Sequence, residues 1–202
     1  MMMNINIDIN GVTIMNAKQA AAVAGGKGKQ GKKAKAKAVE ESVALPVPHV
    51  AVGGAGAAPV VPVKVDDGEG DIEFDESKMM PGFFEGISSL KEMGHQLFFN
   101  SMAGEERERT ARINFRGMKK ITDFIPESNW YFVRTREEKT KTTDATKADV
   151  MIDDRYEIVE NVKAHGVKHV FWFTVSSKEA PAGVIKVKSW KEIVENIIAI
   201  SA

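Results

Sequence analysis

Short apolar runs recur along the chain, and stretches with helical spacing of apolar residues separate them. Residues 5–14 alternate apolar and polar side chains and then turn at Gly11, which predicts a first strand over residues 5–9. Four later runs predict buried strands, at residues 96–99, 130–133, 148–152 and 170–173. Helices are predicted at residues 82–93, 105–124, 156–164 and 190–200. Alternating strands and helices are typical of βαβ units, so we predict an α/β fold with a parallel sheet of about five strands.

A long stretch after the first strand differs in composition. Ala, Gly, Val, Pro and Lys dominate residues 17–70, aromatic residues are absent there, and no strand or helix period persists. We therefore divide the chain into residues 1–16, which hold the first strand of the core, residues 17–77, a low-complexity insertion predicted to be flexible, and residues 78–202, the remainder of the core. A flexible segment of this length spans roughly 40 Å. A core domain can therefore be interrupted at this point.

Composition narrows the class of protein. The 28 basic and 28 acidic residues balance, which predicts no global attraction to nucleic acid or membranes. The absence of cysteine excludes disulfides, thiolate metal sites and cysteine nucleophiles. No apolar run approaches the roughly 18–20 residues that cross a bilayer, and no leader pattern is present, so we expect a cytoplasmic protein without membrane contact. Six lysines between Lys27 and Lys37 suggest either a solvated segment or a weak, salt-dependent nucleic-acid or protein contact.

Polar residues stand where the predicted strands end, which is where parallel α/β sheets bind their ligands. They are Asp8 and Asn10, Asn100 and Ser101, Thr135 with the lysines that follow it, and Asp153 and Asp154. Carboxylates from two strand ends can hold Mg²⁺, which prefers oxygen ligands. A serine hydroxyl and a lysine ammonium can hold phosphoryl oxygens. Asp8 is then placed to attack phosphorus as a carboxylate nucleophile.

Several of these positions have simpler interpretations. An Asn-Gly pair such as Asn10-Gly11 is most often only a turn. Aspartate is a common helix N-cap, so Asp153 or Asp154 could cap the helix that follows, and Ser101 could cap the helix beginning near residue 105. Three lysines compete for the phosphate-binding role. We favour Lys139, because residues 135–139 lie in the predicted loop after a strand, with Lys141 close behind it and Lys147 as the third candidate.

Four motifs occur in an order that resembles the haloacid dehalogenase-like (HAD) superfamily. They are Asp8-Ile9-Asn10-Gly11-Val12, then Leu97-Phe98-Phe99-Asn100-Ser101, a lysine, and Val150-Met151-Ile152-Asp153-Asp154-Arg155. The stretch Met80-Pro81-Gly82-Phe83-Phe84-Glu85-Gly86-Ile87, with the last motif, is similar to the 5′(3′)-deoxyribonucleotidase branch. The resemblance covers residues 5–16 and about 78–174.

This resemblance implies a three-layer, Rossmann-like HAD core that the insertion interrupts after its first strand. It also implies roles for individual residues. Asp8 is the phosphorylated nucleophile and a Mg²⁺ ligand, and Asn10 offers its backbone carbonyl to the metal. Asp153 and Asp154 complete the metal site. Ser101, with Asn100 and Lys139 or Lys141, binds phosphate.

The implied activity is Mg²⁺-dependent hydrolysis of a small phosphorylated substrate, a (deoxy)nucleoside monophosphate by the branch likeness, through an aspartyl-phosphate intermediate. Asn10 departs from the family pattern, which has an aspartate there to protonate the leaving oxygen and then activate water. An amide cannot transfer that proton, and general acid–base assistance is worth about 10²–10⁴ in rate. The alternative expectation is therefore a catalytically impaired HAD-fold protein with a binding or structural role.

Overall fold

Six parallel strands form one sheet in the part of the chain that the structure, a computed structural model, describes: residues 1–15, 19–21 and 78–202. The strands are β1 (Asn4–Ile7), β2 (Gln96–Met102), β3 (Trp130–Val133), β4 (Val150–Asp153), β5 (His169–Phe173) and β6 (Val184–Val187). The helices are α1 (Phe83–Glu92), α2 (Glu105–Arg116), α3 (Lys119–Phe124), α4 (Arg136–Ala145), α5 (Tyr156–His165) and α6 (Trp190–Ser201). Nearly all of the predicted insertion, with the lysines from Lys27 to Lys37, lies outside the described residues.

The strands lie in the order β3-β2-β1-β4-β5-β6, with β1 and β4 side by side in the middle of the sheet. The chain thus adds strands to one side of β1 and then to the other. In sheets wound in this way, a crevice opens at the carboxyl ends of the strands where the order reverses. Here that point falls between β1 and β4, at the positions of Asp8 and Asp153.

Helices cover both faces of the sheet, which gives the expected three-layer α/β architecture. Strand residues alternate between the faces. Ile5 and Ile7 of β1 and Ile152 of β4 are fully buried in a core that also contains apolar residues of α1, α3 and α6. Met151 points the other way, into a second core with α5. Helix α4 contacts β2 and β3 and packs beside α5.

Four details differ from the predicted elements. Helix α4, which carries Lys139, lies where a loop was predicted, because its buried residues Lys139, Thr142 and Thr143 are polar and give no apolar period. The predicted helix over residues 105–124 is broken at Gly117 and Met118 into α2 and α3, yet Phe115, Met118 and Ile121 all enter one core, so the apolar period continues across the break. Strand β6 was not predicted, because its four residues pair only with β5 at the sheet edge and bury only Val184 and Val187. The first strand ends at Ile7, before the turn.

None of the described helices has both the length and the apolar character needed to span a bilayer.

Candidate active site

Three carboxylates converge at the carboxyl ends of β1 and β4. Asp8 directly follows β1, Asp153 is the last residue of β4, and Asp154 comes next. The backbone N–H of Asp8 donates to the carbonyl oxygen of Ile152 at 3.0 Å, which extends the pairing of the two strands to this point. One oxygen from each carboxylate lies within 4.8 Å of the others. Asp8 and Asp153 are buried, and Asp154 is partly buried.

A buried lysine from α4 lies against two of these carboxylates. The Nζ atom of Lys139 is 2.6 Å from Asp8 Oδ1 and 2.6 Å from Asp153 Oδ2. Thr135 begins α4 with a capping box, in which the Thr135 hydroxyl accepts the Glu138 N–H at 3.1 Å and the Glu138 carboxylate accepts the Thr135 N–H at 3.2 Å. The cap fixes the start of the helix and so the direction in which Lys139 points.

The other two candidate lysines lie elsewhere on the surface. Lys141 is exposed and forms an ion pair with Glu137 on the same helix. Lys147 is exposed in the turn after α4, where its φ is 49°. Two residues along a helix correspond to a rotation of about 200°, so Lys139 and Lys141 cannot face the sheet together. Among the three, the structure brings Lys139 to the carboxylates.

The charges at this site are strongly coupled. Burial alone would lower the pKa of Lys139, but the carboxylates of Asp153 and Asp8 outweigh it and raise that pKa above its usual value. Burial raises the pKa of Asp153 to about 6, with Lys139 opposing the rise and Asp8 adding to it. Burial, followed by the charges of Asp8 and Asp153, raises the pKa of Asp154 to about 7. Burial is therefore the largest cause of both raised pKa values, and at Asp153 the Lys139 ammonium outweighs the repulsion from Asp8.

The donor set fits a divalent cation. Three carboxylates and one ammonium leave a formal charge of minus two, and all the candidate ligands are oxygens, which Mg²⁺ prefers. Oδ1 of Asp154 is buried and has no hydrogen-bond partner within the described residues. A buried carboxylate oxygen without a donor is costly, and a cation would remove that cost. Asp153 Oδ1 is already used, because it accepts the backbone N–H of Arg155 at 2.8 Å.

Gly11 belongs to the site, although its sequence context predicts only a turn. Its φ is +82°, in the left-handed region that favours glycine. A Cβ atom built at Gly11 would overlap the carboxylate of Asp154. The turn is closed by the Gly11 N–H, which donates to the carbonyl oxygen of Ile14 at 2.7 Å. The Asn10-Gly11 pair thus brings the backbone directly against the third carboxylate.

Ser101 and Asn100 lie on opposite faces of β2. The Ser101 hydroxyl is buried without a partner among the described residues. It contributes to a cavity of about 420 Å³ that Asn10 also lines. The side-chain amide of Asn100 instead donates to the backbone carbonyl of Lys139 at 3.0 Å, across 39 residues of sequence. This position favours a role for Asn100 in holding α4 over direct contact with a phosphate.

The simpler interpretations as helix caps do not hold for Ser101 or Asp154. Helix α2 has Gly104 at its N-cap without a side-chain cap, and Ser101 lies within β2. Helix α5 has Arg155 at its N-cap, also without a side-chain cap. Asp153 does contact the start of that helix, where its Oδ1 accepts the N–H of Arg155.

Comparison with solved structures finds the same fold in proteins of very different sequence. A protein described as a haloacid dehalogenase-like hydrolase, from Burkholderia xenovorans LB400, superposes with a TM-score of 0.50 at 15% identity, over 65% of this chain and 64% of its own. The D,D-heptose 1,7-bisphosphate phosphatase from B. bronchiseptica, complexed with magnesium and phosphate, gives a TM-score of 0.50 at 9% identity, over 63% of this chain and 88% of its own. This chain thus spans under two thirds of the first protein's length.

No protein-family model matches the chain, and no curated protein sequence does. At these identities the structural likeness shows the fold, which is that of HAD-like hydrolases. It does not distinguish the deoxyribonucleotidase branch from others.

Proposed function

We propose that this chain is a Mg²⁺-dependent HAD-type phosphohydrolase that acts on small phosphomonoesters through an aspartyl-phosphate intermediate. The observation that carries the proposal is the buried ion pair of Lys139 with Asp8 and Asp153. Lys139 and Asp8 are 131 residues apart in sequence, yet Lys139 Nζ lies 2.6 Å from Asp8 Oδ1. The same Nζ lies 2.6 Å from Asp153 Oδ2. Burying three charged groups is costly, and a site that binds charged ligands is a reason to keep them.

We assign a role to each residue of the site. The Asp8 carboxylate attacks phosphorus. The Ser101 hydroxyl, which has no partner within the described residues, and the Lys139 ammonium hold phosphoryl oxygens and stabilise the charge on them. Asp8, Asp153 and Asp154 would hold Mg²⁺ with the backbone carbonyl of Asn10. When bound, the cation neutralises phosphate charge. The phosphatase from B. bronchiseptica, a protein of the same fold, was crystallised with magnesium and phosphate, which supports this choice of ligands.

The first substrate class to test is the (deoxy)nucleoside monophosphates. Support for it comes from the motifs around residues 80–87 and 148–155, which resemble the deoxyribonucleotidase branch. The cavity that Ser101 and Asn10 line has a volume of about 420 Å³ and includes the half-buried Phe132 in its wall. It offers room beside the phosphate for part of a leaving group.

The test is phosphate release by the purified full chain with Mg²⁺, measured on a panel of nucleoside monophosphates, sugar phosphates and aryl phosphates. We expect turnover that EDTA removes and that Asp8→Asn abolishes. Asp123→Asn is the matched control, because Asp123 is an exposed aspartate away from the site, and it should retain full activity. Turnover that survives Asp8→Asn would refute the role of Asp8 as nucleophile.

Asn10 supports a second candidate function, that of a protein that binds phosphate but does not hydrolyse phosphomonoesters. In that case the native chain binds Mg²⁺ and inorganic phosphate by calorimetry but releases no phosphate from the panel, and Asn10→Asp gains activity. If the native chain turns substrates over, this second candidate is refuted.

A further inference from the structure

The proposed reaction lacks a proton donor at the position where related enzymes have one. An ester oxygen that leaves as an alkoxide needs a proton, and the water that attacks the phosphorylated aspartate must lose one. The Asn10 amide can do neither. Another acid that reaches the same space from the wall of the cavity next to the site would remove this difficulty.

Glu106 is the single carboxylic acid among the residues that line this cavity in the described part of the chain. The cavity, about 420 Å³, is the one that Asn10 and Ser101 also line. Apart from Arg107, its other lining residues are uncharged: Ile9, Ile14, Ala103, Thr110, Ala111, Asn114 and Phe132. Glu106 therefore shares a solvent-filled space with the position of the missing aspartate.

The Glu106 carboxylate is not committed to another contact. It forms no ion pair or hydrogen bond within the described residues, and only its backbone carbonyl accepts a bond, from the Thr110 hydroxyl at 2.9 Å. Glu108, on the same helix, contrasts with it, because its carboxylate is held by Arg112 at 2.9 Å and by Arg134 at 2.6 Å. An exposed glutamate without such partners can change rotamer at little cost, so its carboxyl group is free to reach into the cavity.

We propose that Glu106 is the general acid and base of the reaction, in place of Asn10; this inference rests on the proposed phosphohydrolase function. In the first step Asp8 bonds to phosphorus while the ester P–O bond breaks, and the Glu106 carboxylic acid gives its proton to the leaving oxygen. In the second step the Glu106 carboxylate takes a proton from water as the water oxygen bonds to phosphorus. The P–O bond to Asp8 then breaks, which releases phosphate and restores both carboxyl groups.

The first experiment compares Glu106→Gln in two backgrounds, the native full chain and Asn10→Asp, by kcat/KM for phenyl phosphate with Mg²⁺. We expect Glu106→Gln to lower the value by about 10²-fold or more in the native background, the scale of general acid–base catalysis. In the Asn10→Asp background the second carboxyl group is present, so the loss should be under about threefold. Glu105→Gln is the matched control, because Glu105 precedes Glu106 on α2 but lines only the neighbouring cavity. Glu105→Gln should leave kcat/KM unchanged in both backgrounds.

The second experiment varies the leaving group. The p-nitrophenolate ion leaves without a proton far more readily than the phenolate ion does. Loss of a general acid should therefore reduce kcat/KM for phenyl phosphate much more than for p-nitrophenyl phosphate. A merely structural effect of Glu106→Gln would reduce both substrates alike. Glu106→Asp, which keeps the carboxyl group, should recover part of the lost activity.

Each other outcome overturns a definite statement. Equal losses in both backgrounds, equal losses for both substrates, or no loss in the native chain would overturn the role of Glu106. A native chain without activity beside an active Asn10→Asp variant would also overturn it, and the pocket with its nucleophile would stand. Activity in neither background would refute the proposed function itself.

Discussion

Lys139→Met isolates the charge of the buried lysine, because methionine keeps an unbranched side chain but carries no ammonium group. The lysine side chain is 2% exposed, and the Asp8 and Asp153 side chains that it pairs with are 5% and 0% exposed. Removing one partner of a buried ion pair leaves the other charge without compensation, which typically costs about 3–5 kcal/mol. We expect a loss in the free energy of unfolding of this size at pH 8, where the carboxylates must ionise.

The assay is urea unfolding without divalent cations, followed by the fluorescence of the buried Trp130, Trp172 and Trp190. With a slope of about 2 kcal/mol per molar urea, the midpoint should fall by roughly 1.5–2.5 M. Lys141→Met is the control on the same helix, because Lys141 is exposed and its ion pair with Glu137 is open to solvent. Its midpoint should stay that of the native chain.

The loss should shrink in acid. Asp153 and Asp154 have pKa values raised to about 6 and 7, so both bind protons well above the usual range for aspartate. At pH 5 they are largely neutral, and Lys139 then has less charge to compensate. Loss of an exposed ion pair changes the free energy of unfolding by at most about 1 kcal/mol. If Lys139→Met lowers the free energy of unfolding at pH 8 by no more than this, the ion pairs of Lys139 do not stabilise the fold as a buried pair does.

Three further predictions concern the supports of the site. Gly11→Ala should weaken Mg²⁺ binding measured by calorimetry, because the new methyl group displaces Asp154, whereas Gly94→Ala, at a similar φ of +84° with open space around it, should not. The pKa of Asp154 is near 3.8 in the unfolded chain and about 7 in the folded chain, so without metal its ionisation destabilises the fold as pH rises from about 4 to about 7. The urea midpoint of Asp154→Asn should therefore fall less over this range than that of the native chain. An equal fall would contradict the raised pKa of Asp154. Asn100→Ala should lower the free energy of unfolding by about 1 kcal/mol, because it removes the side-chain hydrogen bond that joins β2 to α4; unchanged stability would count against its anchoring of α4.

Much of the fold follows from local pattern. Apolar runs bounded by turns are sufficient to place β1 to β5, because strands buried on both faces consist almost entirely of apolar residues. Strand β6 could not be predicted in this way, since an edge strand needs only a few buried positions to pair with its neighbour. The break between α2 and α3 could not be predicted either, because the apolar residues on both sides of Gly117 enter the same core.

The sequence by itself also determined which chemical groups stand at the strand ends, since carboxyl ends of parallel strands share one edge of the sheet. Only the tertiary structure decided which groups meet. The orientation of the capped helix α4 turns Lys139, and not Lys141, toward the carboxylates. The alternation of side chains along β2 places Asn100 and Ser101 on opposite faces of the sheet, so Asn100 binds α4 instead of facing the cavity. Gly11 contacts Asp154 across 143 residues, a proximity that no local pattern encodes. Distances between segments are fixed by packing, and packing depends on the whole chain.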